Sequence, residues 1–173
     1  MAALICGLLM VQIFLSHSSQ DSWLVNPIAE NLRLIGVEPY LAELDTPNPL
    51  SLYDMLTNAI QKSTTVFLIL THNVMGRPET RDFINWEIAT ARAYKKPVYA
   101  FVERGVEVPI LMSQVMVYHT FDPFSRESLD EAMKRLVAVG SELKEQEDKG
   151  RAAAFLIMLF LGLGFFGALS SGK

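Results

Sequence analysis

The chain has 173 residues, half of them hydrophobic, with a mean hydropathy of +0.24 and a formal net charge of −4. That length holds one domain and a small appendage. The apolar content excludes intrinsic disorder, the single cysteine, Cys6, excludes an internal disulfide framework and a cysteine-based zinc site, and the three isolated histidines (His17, His72, His119) lack metal-ligand spacing. Much of the apolar excess lies in one block, Ala152–Leu169, 18 residues without a charge or a hydrogen-bonding side chain. All 19 acidic residues precede it, and without Arg151 and Lys173 the body carries 13 basic residues and a net charge of −6. A body of that charge with no basic cluster along the sequence argues against a nucleic-acid partner.

Residues 1–10 are apolar and run into the first strand without the basic n-region of a signal peptide. They read either as a structural extension or as a segment that touches a membrane. Val11–Leu15 is a short apolar strand ending in Ser-His-Ser-Ser-Gln-Asp. Asp21 or Ser22 is placed to cap a helix through about Ile35, and Gly36 stops it. Val37–Ala42 reads as strand, Glu43–Pro49 as a loop, and Ser51 as the cap of a helix to about Lys62. Thr64–Leu70 is apolar on both parities, as a strand buried on both faces should be. A loop over Thr71–Pro78 leads to a helix from about Glu79 to Lys95. Pro97–Glu103 and Val115–Phe121 are two more strands, and Ser125–Lys149 is a long terminal helix. Strands alternating with helices predict an α/β fold, a flavodoxin-like, doubly wound, five-stranded parallel sheet. Ligands of such sheets bind beyond the carboxyl ends of the strands. Here that surface comprises Ser16–Asp21, Glu43–Pro49, Thr71–Arg77, Glu103 with its neighbours, and Phe121–Asp122.

The tail, residues 150–173, has a distinct character. As a helix Ala152–Leu169 spans ~27 Å, close to the ~30 Å hydrocarbon core of a bilayer. Lys144, Lys149 and Arg151 precede the block and only Lys173 follows it, which keeps the body cytoplasmic if the block spans a membrane. A buried or oligomer-forming helix is the other reading of the same residues.

One carboxylate stands out. At about 100° per residue, with Asn85 at zero, Arg92, Lys96 and Arg81 fall within about 40° of Asn85, and Glu87 falls nearly opposite, at about 200°. Its helical neighbours are Phe83, Ile84, Thr90, Ala91 and Tyr94. A carboxylate on the apolar face is costly unless paired or used, and desolvation raises its pKa. It suits acid–base work or stabilisation of a cation; the plainer alternative is a bond to loop amides or a pair with Arg77 or Arg81. Ser16-His17-Ser18-Ser19, between a strand and a helix, can hold a phosphate or simply cap.

These residues together resemble the Toll/interleukin receptor (TIR) domain in its prokaryotic form. Phe14-Leu15-Ser16-His17-Ser18 with Asp21 is similar to the family's first box, and Tyr40-Leu41-Ala42-Glu43-Leu44-Asp45 to its second strand and the start of its second-box loop. Ala59-Ile60-Gln61-Lys62-Ser63, the strand ending in Leu70-Thr71, and Asn85-Trp86-Glu87-Ile88 with Ala91 and Lys96-Pro97-Val98 follow in the family's order. The match covers roughly Val11 to Lys149, so 11–149 is taken as the domain. It departs at Thr46-Pro47-Asn48-Pro49, where a Pro-Gly pair is usual, and at Phe83, where Trp is frequent.

The resemblance implies an NAD+ nucleosidase that cleaves the nicotinamide–ribose bond to ADP-ribose or a cyclic product, with NAD+ as substrate and no cofactor or metal. It implies Glu87 as the catalytic residue, with Ser16, His17, Ser18, Glu43, Asp45, Phe83 and Trp86 binding substrate and Phe83 stacking on the nicotinamide. It further implies a homo-oligomer through TIR–TIR contacts, a sensor or TIR partner protein, and a role in prokaryotic immune defence, with the tail as a single-pass anchor. A non-catalytic TIR adaptor and a nucleoside-processing enzyme of similar fold are the competing expectations.

Overall fold

The computed structural model describes residues 10–41, 49–76, 78–108, 115 and 117–169; for 49–51, 79, 151 and 154–169 it describes the backbone alone. Residues 1–9, Glu43, Asp45 and Arg77, which figure in the expectations above, lie outside the described residues.

Five strands form one parallel sheet in the order β2-β1-β3-β4-β5: β1 Gln12–Ser16, β2 Glu38–Leu41, β3 Thr65–Leu70, β4 Val98–Glu103 and β5 Val117–Phe121. This is the expected flavodoxin-like order. The central strand β3, TVFLIL, is buried along its whole length because helices cover both of its faces. On one face Ile13, Leu15, Phe67, Ile69 and Phe101 pack against α1 (Ser22–Leu34) and α5 (Arg126–Leu169). On the other, Phe14, Val66, Leu68 and Ala100 pack against α2 (Pro49–Lys62) and α4 (Pro78–Ala93).

Three local expectations change. Helix α2 begins at Pro49, so Ser51 lies in its first turn and is not its cap; proline, with φ already fixed and no N–H to lose, favours the first helical position. The segment after β3 contains a one-turn helix, α3 (His72–Met75), whose Val74 N–H donates to Thr71 Oγ1. Asp21 occupies the N-cap position of α1 but makes no capping bond. Its carboxylate is turned instead to two side-chain donors from the neighbouring strand's loop.

The terminal helix does not end at Lys149; α5 continues without a break to Leu169. Gly150, the one helix-weakening residue at the junction, is accommodated at a cost of about 1 kcal/mol. Among the described residues no helix is long and apolar enough to cross a membrane; the side chains from 154 onward, which carry that expectation, are not among them. Where α5 crosses α1 the contact is close. Gly140 is buried, and a Cβ there would stand 2.8 Å from Leu32 Cδ2 and 3.2 Å from Ile35 Cδ1. Four residues on, Lys144 Nζ donates to the Ile35 carbonyl at 2.8 Å and lies over Gly36, whose φ of +76° ends α1.

Gly140→Val is therefore expected to destabilise the protein by about 1–3 kcal/mol, the usual cost of overpacking. Denaturant unfolding of the two proteins checks this; an unchanged midpoint would mean that α5 is not held against α1.

Candidate active site

The parallel sheet brings the ends of β1 and β3 together, and the loops that follow them meet. Two carboxylates are buried there among the described residues, Asp21 at 1% exposure and Glu87 at 2%. They are treated very differently by their surroundings. Asp21 accepts from Thr71 Oγ1 at 2.6 Å and from Asn73 Nδ2 at 2.7 Å. Thr71 Oγ1 in turn accepts the α3 capping bond, so one chain of hydrogen bonds ties the β1 loop to the β3 loop. Two donors satisfy the carboxylate more fully than a single helix-capping amide would.

Among the described residues Glu87 has one hydrogen bond, from Ser16 Oγ at the last residue of β1 to its Oε2. It projects from the inner side of α4, the helix whose Ile84, Ile88 and Ala91 fill the core beside Phe14. Burial pushes its pKa up to about 8, and the Ser16 hydroxyl, which favours the charged form, offsets only part of that. The carboxyl is thus mostly protonated at neutral pH. Arg81 is exposed, and among the described residues the partner of Glu87 is a serine hydroxyl from another element; Arg77, the other expected partner, lies outside them.

Of the described residues expected to bind substrate, Ser16 is the one whose hydrogen bond reaches Glu87. His17 is half-buried, and its Nδ1–H donates to the Leu15 carbonyl at 3.0 Å, which orients the ring and leaves Nε2 as the nitrogen for other work. Ser18 accepts from the Gln20 amide at 3.3 Å and caps the short turn Ser19–Asp21. Phe83 and Trp86 form an aromatic cluster with Tyr53 of α2, which is 41% exposed. Tyr53 meets the Trp86 ring edge-on at 4.9 Å between centroids, and Phe83 lies 5.5 Å from Trp86. Sequence reasoning missed Tyr53 because its helical position shows only that it is near the surface of α2, not which helix lies opposite. It also offered Asp21, with Ser22 as the alternative, as a cap; the adjacency of β1 and β3 was the available signal that its loop meets Thr71 and Asn73.

The opposite side of α4 borders a second cleft of about 530 Å³ lined by His72, Arg81, Asp82, Asn85, Gly105 and Glu107, among others. Glu87 is not part of it. His72 Nδ1 there pairs with Glu103 Oε1 at 2.9 Å, and the His72 amide donates to Oε2. Among the described residues no group of three His, Cys, Asp or Glu is placed to hold a metal ion.

The sequence profile described as "TIR domain" matches residues 13–137. No curated protein matches the chain. Solved structures do share its fold. A CMP N-glycosidase, BcmB, from Clostridium botulinum is 17% identical, with a TM-score of 0.53 over 72% of this chain and 97% of that one. The RPS4 and RRS1 TIR domain heterodimer gives 13% identity and a TM-score of 0.54 over 77% and 98%. The TIR domain of the Toll-related receptor TRR-2 from Hydra magnipapillata gives 14% and 0.53 over 75% and 97%.

The raised pKa of Glu87 makes a stability prediction with a definite sign. The folded state holds this proton more tightly than the unfolded chain, so its contribution is complete below about pH 4.5 and is lost as pH rises to about 8. Glu87→Gln, which cannot ionise, is expected to gain on the wild type across that window, by about 2 kcal/mol or more at its alkaline end. Melting temperatures of both proteins from pH 5 to about 8.5 check this; a constant difference would show that Glu87 ionises as freely in the fold as in water.

Proposed function

Because the chain belongs to the TIR domain family, we propose that it is an NAD+ nucleosidase in which Glu87 is the catalytic residue. The observation that carries this reading is a desolvated carboxyl with one hydrogen bond, in the family's glutamate position and beside the carboxyl end of β1. Nicotinamide in NAD+ is a cationic leaving group. The bond from C1′ to the ring nitrogen breaks with its electron pair moving to nitrogen, so neutral nicotinamide departs without needing a proton. C1′ is left with oxocarbenium character, which an adjacent carboxylate stabilises strongly in a low-dielectric site. Attack by water at C1′ and loss of its proton give ADP-ribose; attack by a nitrogen of the substrate's own adenine gives a cyclic product. That one structure of this fold is a CMP N-glycosidase agrees with base–sugar cleavage being compatible with such a scaffold.

The protonated, 2%-exposed Glu87 describes a resting state. Arrival of the cationic nicotinamide riboside favours loss of the proton, and the site must open to admit it. Self-assembly through TIR–TIR contacts, the arrangement named for the RPS4 and RRS1 pair, is the proposed trigger. His17 and Ser18 at the β1 end are proposed to meet ribose or phosphate oxygens, and Phe83 and Trp86, with Tyr53, the nicotinamide side. Glu43 and Asp45 keep the substrate-binding role implied by the family resemblance. We assign the activity to immune defence signalling in a prokaryote, with the tail holding a cytoplasmic domain at a membrane. The closed Glu87 also suits a scaffold that assembles without turnover, and turnover measurements separate the two.

Nicotinamide release by the full chain on liposomes is expected to fall on the order of 100-fold or more in Glu87→Gln. Equal release by both proteins would remove Glu87 from the mechanism, and none from the wild type under assembling conditions would favour the scaffold. The wild-type kcat/KM should rise with pH, reach half its plateau near pH 8, the pKa of the free enzyme's Glu87, and level off above it. Ser16→Ala loses the bond that favours the anion, so its rising limb should move to higher pH, with about tenfold lower kcat/KM at pH 7 and a similar plateau.

A further inference from the structure

Every strand of a parallel sheet starts at one end, and there the fold gathers lysines from two helix ends beside Glu145, Glu147 and Asp148 of α5. A cleft of about 590 Å³ at the strand starts is lined by Met10 and Thr64, by Lys62 at the end of α2, and by Tyr94, Lys95 and Lys96 after α4, together with Leu143, Gln146 and Glu147 of α5. Lys95 and Lys96 are neighbours in the sequence, and the fold brings Lys62, 33 residues before Lys95, to the same cleft. Large apolar side chains are exposed at the same end: Met10 by 60%, Tyr94 by 40% and Leu34, the last residue of α1, by 84%.

Helix dipoles explain why a lysine is tolerated after α2 or α4, since cations there are favourable. They do not explain Lys95. Its φ is +55°, the one non-glycine residue with positive φ among those described. Glycine normally takes this position after a helix, and another side chain costs about 1 kcal/mol or more there. A lysine held in a disfavoured conformation, beside two further lysine positions and exposed apolar groups, points to a use for its charge outside the fold.

The surroundings indicate the partner. α5 crosses the end of α1 at Lys144 and runs a further 25 residues to Leu169, about 37 Å at helical rise, so the uncharged block leaves from this end. The apolar residues 1–9 join the described chain at Met10, also at this end. We infer that the end of the domain carrying Lys62, Lys95 and Lys96 is a docking surface for a membrane rich in anionic lipid, with the lysines against phosphate headgroups and Met10, Leu34 and Tyr94 at the polar–apolar boundary. Lysines near such a surface contribute about 1 kcal/mol each, roughly fivefold in partition. Tyrosine is suited to that boundary. The geometry turns the opposite end of the sheet, where Ser16 and Glu87 are buried, away from the membrane. The assignment is independent of the proposed NAD+ chemistry.

The full chain and a Lys62→Gln/Lys95→Gly/Lys96→Gln variant can be compared by flotation with phosphatidylcholine vesicles, with and without about 30% phosphatidylglycerol. The wild type is expected to favour the anionic vesicles by about 100-fold, in a manner weakened by salt. The variant should lose that preference while partitioning onto neutral vesicles as the wild type does. Its melting temperature should be unchanged or higher, because glycine relieves the positive φ. A wild type indifferent to lipid charge, or a variant with the full preference, would overturn the assignment. So would displacement from anionic vesicles by inorganic phosphate at an ionic strength where chloride has no effect, which would identify a site for free phosphate.

Discussion

A carboxyl group almost without access to water sits between the last residue of β1 and the inner face of α4, and burial keeps its proton in place. Placing Glu87 there is unfavourable for its charged form, and one serine hydroxyl compensates only in part. Asp21 shows what full compensation looks like in the same neighbourhood: two side-chain donors, both from the loop after β3. The contrast separates a carboxylate that fastens two loops from one whose charge is reserved. A group of the second kind ionises when a positive ligand supplies the stabilisation of the anion that its surroundings withhold.

The parallel sheet distributes everything else. All strands point the same way, so the loops after β1 and β3, the first turn of α4 and the Ser16–Glu87 pair collect at one end. The strand starts, the helix ends and the exit of α5 collect at the other. The domain is polar in this sense before any ligand is considered. Its crossing of α1 and α5 depends on Gly140, whose missing side chain lets the helices approach, and on Lys144, which reaches the end of α1. The long helix α5 thereby fixes the direction in which the tail leaves.

Much of this was legible in the order of residues. The apolar parity of TVFLIL placed a doubly covered strand, and the alternation of elements led to the observed strand order. Helical geometry put Glu87 on the apolar face of its helix, where it is found. Less legible were features that depend on which elements become neighbours. Tyr53 meets Phe83 and Trp86 only because α2 lies beside α4. Asp21 reads as a cap until β1 and β3 are adjacent. Lys95-Lys96 is visible as a pair in the sequence, but the arrival of Lys62 beside it is a product of the fold.

The sequence by itself determined the class of fold, the acidic character of the body, the uncharged block and the side of its helix from which Glu87 projects, because each depends on local periodicity or composition. Tertiary structure decided how far that carboxyl is desolvated, which hydroxyl reaches it, and why Asp21, equally buried, is fastened in place. Those outcomes depend on distances between residues 50 to 71 positions apart, such as Asp21 to Thr71 and Ser16 to Glu87. Electrostatic free energies are set by such distances and by the exclusion of water, neither of which exists until the sheet has closed against its helices.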